Sequence, residues 1–197
     1  MLVCWLRYLL AYQLTRTADN LLLATMSAVR ETAASLSLGL IRPALFSLRC
    51  QIDLVLSWLF YKDHQVEWNH VNDSAEGFKL KKDLLQYLDA HHARFKSRFN
   101  LLGPIATRKT EDPYRLLSAH IHAQSAMVLP DVNHLKHMVR PVKECMECAK
   151  AQFEVAEYVN DVLLSIYAPN WHSLPAQVQN AVIKRFVSPQ QRTSFLE

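Results

Sequence analysis

Glycine is scarce in this chain, and that scarcity limits the folds open to it. Only three of the 197 residues are glycine, whereas half of the residues are apolar. Tight turns and β-hairpins depend on glycine because it adopts positive φ angles without a steric cost. The chain also has no Asn-Gly or Asp-Gly pair and no sustained alternation of apolar and polar residues. Together these features predict an all-α protein.

The length of the chain suits one domain with a core of ordinary size. We expect a single helical bundle of about six to eight helices over residues 1–188, followed by a loose C-terminal tail over 189–197. The polar stretch 64–77 and the charged stretch 105–111 are predicted to be loops. The seven longer predicted helical segments are 2–14, 18–40, 43–62, 77–92, a central helix that starts at Asp112-Pro113 and ends near Ser125, 141–167 and 175–187, and two short ones are 93–102 and 131–139.

Charge and cysteine content favour an ordinary cytoplasmic protein. The net charge of +4, with histidines neutral, is compatible with a polyanionic partner but does not demand one. Four cysteines in a chain with ample core are not typical of a disulfide framework, which predicts a reducing compartment. The apolar opening segment 1–14 is interrupted by Arg7 and is too short to span a bilayer. We expect a buried first helix and no membrane association.

The central helix carries the strongest candidate for a functional site. Its stretch Tyr114–Ser125 has the sequence YRLLSAHIHAQS, in which Arg115, His120 and His122 stand among small and apolar residues. At about 100° and 1.5 Å per residue, His120 lies about 140° round the helix from Arg115. His122 lies close to the Arg115 stripe, but about 10 Å further along the axis. Neither histidine can hydrogen bond to Arg115, so shared chemistry requires a substrate that spans them.

A polar pair on the earlier helix 43–62 is the candidate support for this site. Arg49 and Asp53 are one turn apart and can therefore form an ion pair. Both lie beside an apolar stripe that faces the core. They form either a satisfied ion pair on the shoulder of the helix or a polar pair that faces the central helix.

The arginine–histidine spacing resembles the Arg-x4-6-His motif of the HEPN superfamily, a group of helical domains that includes many ribonucleases. Both Arg115–His120 and Arg115–His122 fit this spacing, and Tyr114-x-x-Leu-Ser followed by a histidine is similar to HEPN-like bacterial proteins. The resemblance covers this one helix against an all-α background. It implies a HEPN-like bundle that forms a homodimer, with two such helices in one cleft.

The resemblance further implies RNA cleavage without a metal ion or another cofactor, through attack by the ribose 2′-hydroxyl. A histidine would serve as general base or acid because it titrates near neutrality, and Arg115 would hold the scissile phosphate. His122 stands where many HEPN ribonucleases have a tyrosine, so the role of that tyrosine is absent or passes to a second histidine. Arg108 and Lys109 on the exposed connector either touch the phosphate backbone of RNA or belong to an ordinary solvated loop. The same resemblance implies a toxin-like or phage-defence system with a protein partner.

Other interpretations of the motif compete with catalysis. His120 and His122 can be buried histidines bonded to their neighbours, with Arg115 paired to an acid such as Asp53. The motif can also bind a nucleotide without cleaving it. A rival of a different class is a non-catalytic helical adaptor, or subunit of a larger assembly, that binds protein through its apolar surface.

Zinc binding is a further alternative. His134-x2-His137 and Cys145-x2-Cys148 supply four side chains of the type that bind zinc. However, Pro141 lies between the two pairs, and Cys145 belongs to the predicted buried stripe of its helix. Nucleophile motifs, a phosphate-binding glycine loop and a dinucleotide fingerprint are absent from the sequence. We therefore expect no metal and no cofactor.

Overall fold

The computed structural model describes residues 1–124, 128–129 and 132–197. Within these ranges the chain forms helices and turns but no strand, which confirms the predicted all-α class. The α-helices of the described part are α1 (Leu2–Tyr12), α2 (Asn20–Ser37), α3 (Ile41–Tyr61), α4 (Gln65–Ser74), α5 (Lys81–His91), α6 (Phe95–Leu102), α7 (Pro113–Ile121), α8 (Val142–Tyr167), α9 (Ala176–Ile183) and α10 (Pro189–Leu196). Two 3-10 segments, Leu135–His137 and Ala168–Ser173, flank α8.

The two longest helices, α3 and α8, form the centre of the bundle. α3 packs against α2, α5, α7 and α8, while α8 also packs against α1 and α6. The predicted apolar stripe of α3 explains its place, because Leu48, Ile52, Leu56 and Leu59 are at most 2% exposed. The C-terminal half of α8 is buried from Val155 onward. The remaining helices surround this pair.

The first turns of α8 depart from the predicted burial. In the predicted helix 141–167, Val142, Cys145, Ala149 and Phe153 have the spacing of a buried face, but Val142 and Phe153 are 77% and 52% exposed. The buried stripe of the helix begins only at Cys148. The start of α8 therefore extends beyond the helices that cover its C-terminal half and leaves apolar side chains at the surface.

The first helix is buried, as predicted. Trp5, Leu6 and Leu9 are fully enclosed, and Trp5 Nε1 donates a hydrogen bond to Asn160 Oδ1 of α8 at 2.9 Å. Among the described residues, α3 is the one helix with the length and hydropathy of a membrane span. However, 67% of its most apolar window is buried inside the protein, as a core helix requires.

The predicted loop 64–77 contains a helix, α4. None of its residues is fully buried, and Trp68 and Val71 pack against the edge of the core. Apolar periodicity is the main signal for a helix in a sequence, and two apolar contacts in ten residues are too few to produce it. The sequence therefore predicted a loop where the structure has a polar helix.

The last nine residues also differ from the expected loose tail. They form α10, whose first turn is capped by the Ser188 hydroxyl, which accepts a hydrogen bond from the Gln191 N–H at 3.2 Å. Phe195 is fully buried, and its ring lies against those of Trp171 and Phe186. One aromatic side chain thus anchors a helix that is otherwise polar. With α4, this helix raises the number in the described part above the six to eight that were expected.

Some predictions fall partly outside the described residues. The predicted central helix ends in the structure at Ile121, and Ser125 is not described. The predicted helix 131–139 begins at an undescribed residue, and its described part contains one 3-10 turn.

Two acids of α8 and two arginines from other segments form a buried ion network. Its members are Arg108, Glu157, Asp161 and Arg185, and each side chain is at most 4% exposed. Arg185, which follows α9, donates to Asp161 Oδ1 at 2.6 Å, and Arg108 donates to Asp161 Oδ2. Arg185 also donates to the carbonyl oxygen of Ile105 at 3.1 Å. The network therefore joins three separate parts of the chain.

The buried ion network fastens the connector 105–111 to α8. Glu157 accepts hydrogen bonds from the backbone N–H groups of Thr107 and Arg108, and from the Thr107 hydroxyl, at 2.6 to 3.1 Å. The expectation that the connector holds Arg108 in solvent is therefore wrong. The Arg108 guanidinium neutralises buried carboxylates. The sequence predicted an exposed loop because it does not show which charged side chains point into the core.

These hydrogen bonds keep Glu157 ionised inside the protein. Burial by itself raises the pKa of this carboxyl, but the bonds from Thr107 and Arg108 and the charge of Arg185 hold the pKa below its ordinary value of 4.5. A carboxyl whose pKa falls on folding stabilises the fold above its unfolded pKa, and the contribution is lost as the pH drops through the lowered value. The network is therefore intact at neutral pH and weakens in acid.

Gly39 makes a close approach between the α2–α3 turn and the segment before α8. Its φ is +76°, and its carbonyl oxygen accepts a hydrogen bond from the Arg140 N–H at 2.9 Å. A Cβ atom at this position would lie 2.7 Å from Val139 Cγ1. Glycine is therefore required here both by the backbone angle and by the space available.

We expect Asp161→Asn to lower the free energy of unfolding by about 3 to 5 kcal/mol, because it leaves two buried guanidinium groups without a full counter-charge. Urea unfolding followed by circular dichroism measures the change. The control is Glu144→Gln, which breaks an exposed ion pair with Arg140 and should cost no more than about 1 kcal/mol. Equal losses in the two variants would contradict a stabilising network.

Gly39→Ala should lower the free energy of unfolding by more than Gly77→Ala does. Both glycines have a φ near +80°, so each substitution carries the left-handed backbone cost of about 1 kcal/mol. A Cβ on Gly77 would have no neighbour closer than 3.7 Å, whereas one on Gly39 collides with Val139. The difference between the two variants isolates the collision, and no difference would mean that the 139–140 segment moves away freely.

Candidate functional site

The start of α7 is fixed by its cap and by a neighbouring lysine. The Asp112 carboxylate accepts a hydrogen bond from the Tyr114 N–H at 3.1 Å, and Pro113 occupies the first turn, as the sequence predicted. Lys81 of α5 donates to Asp112 Oδ1 at 2.6 Å, and its Nζ lies 4.8 Å from the centre of the Tyr114 ring. These contacts set the position of every side chain that follows on the helix.

One side of α7 is polar and the opposite side is apolar. Successive helical positions place Tyr114, Arg115, Ser118 and His122 within about 100° of one another. Leu117 points inward and is 1% exposed. We call the four polar side chains the polar face of α7.

Arg49 of α3 lies across the polar face and contacts both of its ends. Its Nη1 is 2.9 Å from His122 Nε2, and its Nη2 donates to the Tyr114 hydroxyl at 2.8 Å. The guanidinium carbon also lies 4.7 Å from the centre of the Tyr114 ring. Arg49 Nε is 3.3 Å from Asp53 Oδ2, so the predicted ion pair is present. We call Arg49, Asp53, Tyr114 and His122 the Arg49 cluster.

The cluster fixes the protonation of its histidine. A guanidinium group has only donors, so His122 Nε2 accepts the hydrogen bond and its imidazole is neutral with the proton on Nδ1. Because His122 is exposed, the rest of its ring remains open to solvent. The cluster thus presents a neutral imidazole beside a fixed positive charge.

Burial dominates the titration of the other two members. It raises the pKa of the Asp53 carboxyl above its ordinary value, against the opposing charge of Arg49. It also raises the pKa of the Tyr114 hydroxyl, and the nearby Asp53 carboxylate acts in the same direction. Tyr114 therefore keeps its proton at neutral pH and remains both a donor and an acceptor.

Two buried polar atoms at the α3–α7 contact lack a hydrogen-bond partner among the described residues. They are Arg49 Nε, whose approach to Asp53 is not directed as a hydrogen bond, and the Ser118 hydroxyl oxygen. Buried polar groups are ordinarily paired, so these atoms have capacity for a water or a bound group. The donor set suits an anion, because guanidinium and hydroxyl groups both donate to phosphate oxygens.

The structure separates the three predicted catalytic residues. Arg115 lies on the polar face about two helical turns before His122 and is exposed, with no ion pair or side-chain hydrogen bond within the described ranges. His120 lies about 160° round the helix from His122 and lines an apolar groove on the other side. The competing pairing of Arg115 with Asp53 is not formed, because Asp53 pairs with Arg49.

The connector contributes less positive surface than the sequence suggested. Arg108 belongs to the buried ion network, whereas Lys109 is exposed and uses its backbone N–H to donate to Glu154 Oε1 at 3.3 Å. Of the two predicted nucleic-acid contacts, Lys109 alone keeps its side chain at the surface.

The four side chains of the zinc alternative do not form one cluster. His134 and His137 have ring centres 5.3 Å apart, but no group of three or more metal-binding side chains comes together in the part of the chain that is described. Cys145 Sγ lies 3.7 Å from the Arg140 carbonyl oxygen. Burial, with the neighbouring Cys145, raises the pKa of the Cys148 thiol to about 11, so this thiol keeps its proton at neutral pH when no metal ion is bound.

Sequence reasoning missed Tyr114 as a member of the site. Its signal was the repeat of polar residues at four-residue spacing, Tyr114, Ser118 and His122, which defines one face of a helix. Lys81 was missed as well, and it carries no comparable signal because it comes from a different helix.

The chain was compared with protein-family models, curated proteins and solved structures. No protein-family model, curated protein or solved structure matches the chain.

We expect nitrogen-15 NMR at neutral pH to find His122 protonated on Nδ1 and bare on Nε2. Arg49→Met removes the donor and should shift both ring nitrogens of His122 toward those of a free imidazole. The exposed His172 provides the control within the same spectrum and should not respond. A proton on Nε2 in the wild-type protein would contradict the contact with Arg49.

Proposed function

We propose that this chain binds RNA at the polar face of α7 and cleaves it without a metal ion. The observation that carries the proposal is the exposed imidazole of His122, whose Nε2 lies 2.9 Å from the Arg49 guanidinium on the same face as the unpaired Arg115. A base beside fixed positive charge is the combination that phosphodiester cleavage by a 2′-hydroxyl requires.

The Arg49–His122 contact suggests how substrate would activate the site. The lone pair of Nε2 is occupied by Arg49 in the resting protein. A phosphate oxygen is a stronger partner for a guanidinium than an imidazole is, because the bond then joins two charged groups. When RNA binds, Arg49 turns to the scissile phosphate and frees Nε2 to act as a base.

The reaction then follows from the groups on this face. His122 Nε2 takes the proton of the 2′-hydroxyl while the 2′-oxygen forms a bond to phosphorus. The bond from phosphorus to the 5′-oxygen breaks, and the leaving oxygen takes a proton from solvent at this exposed surface. The products are a 2′,3′-cyclic phosphate and a 5′-hydroxyl. Arg49 and Arg115 stabilise the charge that develops on the phosphate oxygens.

This proposal changes the roles that the motif implied. Arg49, expected as a supporting residue, becomes the group that holds the phosphate, and Asp53 orients it. His120 has no part in the reaction within one copy of the chain, because it faces away from His122. A HEPN-like homodimer that pairs two α7 helices, and a place in a toxin-like or phage-defence system, stay predictions from the resemblance.

The alternative is a non-catalytic helical adaptor in which the Arg49 cluster only locks α7 onto α3. The hydrogen bonds of Arg49 to Tyr114 and His122 favour this alternative, because internally paired motif residues are what an adaptor would have. The unpaired Arg115 favours the ribonuclease. An activity assay separates the two functions, since both have the same fold.

We expect the purified protein to cleave labelled single-stranded RNA or structured tRNA in the presence of EDTA. His122→Ala should lower the rate by about 100-fold or more, since it removes the general base. Arg49→Lys and Arg115→Ala should each lower it by about 100-fold, through lost stabilisation of the phosphate. His120→Ala should stay near the wild-type rate.

Arg30→Ala is the matched control for Arg115→Ala, because Arg30 is exposed on α2 and has no hydrogen bond or ion pair within the described ranges. Circular dichroism confirms that each variant is folded. The proposal fails if the folded wild-type protein cuts neither RNA, or if EDTA abolishes cleavage. It also fails if His122→Ala cuts as fast as the wild-type protein.

A further inference from the structure

An apolar groove of about 710 Å³ lies on the side of α7 opposite the polar face. Its walls are the start of α3, the residues that follow α7 and the segment that precedes α8. The apolar side chains that line it include Leu45, Phe46, Leu129, Val132 and Met138. Four of these five are at least 45% exposed, so the groove is open to solvent.

The apolar surface continues beyond the rim of the groove. Leu135 is 84% exposed, Val139 is 58% exposed, and Val142 and Met146 on the first turns of α8 are 77% and 60% exposed. Proteins seldom leave several neighbouring large apolar side chains in water unless the surface binds something. The extent of this surface exceeds what a small ligand in the groove would cover.

One wall of the groove is tied to the neighbouring turn between α2 and α3. This wall is attached by the hydrogen bond from the Arg140 N–H to the Gly39 carbonyl oxygen. The close packing of Val139 on Gly39 holds the same wall from the other side.

The one unpaired charge among the described residues that line the groove is positive. Arg42 is exposed and has no ion pair within the described ranges, and His120 and His137 also line the groove. The one acid among the described lining residues is Glu144, which is neutralised by Arg140 at 2.9 Å. An occupant with carboxylates beside its apolar side chains matches this pattern.

We propose that the groove binds an acidic amphipathic helix of a protein partner. The apolar face of that helix fills the groove, and its carboxylates meet Arg42 at the rim. A second copy that docked groove to groove would bring the two Arg42 guanidinium groups together, and RNA would leave the apolar lining unfilled. The groove lies on the other side of α7 from His122, so this inference does not depend on RNA cleavage.

The test uses a fluorescein-labelled helical peptide of about 18 residues, with leucine along one face and glutamate elsewhere. Fluorescence anisotropy measures its binding to the full chain. A second peptide has lysine in place of every glutamate. We expect the glutamate peptide to bind and the lysine peptide to bind at least about tenfold more weakly, because Arg42 is positively charged.

Variants of exposed residues locate the binding surface without disturbing the core. Phe46→Asp should weaken binding of the glutamate peptide by about tenfold or more, and Arg42→Glu should weaken it by an amount that shrinks at high salt. Val66→Asp is the matched control, because Val66 is 83% exposed on α4 and lies outside the groove. It should bind the peptide like the wild-type protein.

Several results would overturn the proposal. Equal binding of the two peptides would remove the argument from charge, and equal affinities of Phe46→Asp and Val66→Asp would place the peptide elsewhere. If the glutamate peptide does not bind at all, the groove does not bind an acidic amphipathic helix. Sedimentation velocity measures the oligomeric state of the protein. If the wild-type protein is a dimer and Phe46→Asp is a monomer, the groove binds a second copy of the chain. Displacement of the peptide by RNA would assign it to nucleic acid.

Discussion

Four ionised side chains lie inside this bundle, and the rest of the structure depends on their mutual neutralisation. Burying one unpaired charge costs several kcal/mol, so Arg108, Glu157, Asp161 and Arg185 are tolerable only as a complete set. The set draws on the connector, on α8 and on the segment after α9, so these three parts must come together. α7 begins directly after the connector. The buried ion network therefore also decides where the polar face of α7 lies.

The pairing of charged side chains also decides the chemistry of the candidate site. Two arginines lie at the polar face of α7, and the fold places them in different environments. Arg49 is held between Asp53, Tyr114 and His122, whereas Arg115 extends into solvent. A fixed guanidinium beside a neutral imidazole is suited to a phosphodiester, and a free one beside them extends the positive surface. This division of labour between the two arginines is the physical basis of the proposed ribonuclease.

α7 separates two surfaces of opposite character. On one side it presents hydroxyl, imidazole and guanidinium groups, and on the other side His120 lines an apolar groove with Phe46 and Arg42. Two neighbouring histidines on a helix point in nearly opposite directions because successive residues turn by about 100°. The motif that looks like one site in the sequence thus contributes to two surfaces. A protein partner in the groove and RNA on the polar face would not compete for the same side chains.

The sequence by itself determined the all-α class, the buried helices α1, α3 and α8, and the start of α7 at Asp112. These features depend on apolar periodicity and on local capping, which a chain encodes over a few residues. The sequence also indicated that Arg49 and Asp53 could face the central helix. Only the tertiary structure decided that His122 pairs with Arg49 and that Arg108 turns inward. The physical reason is that a charged side chain takes its partner from whichever segment packs beside it. Here those partners are 73 and 53 residues apart in the chain, and no local pattern records that distance.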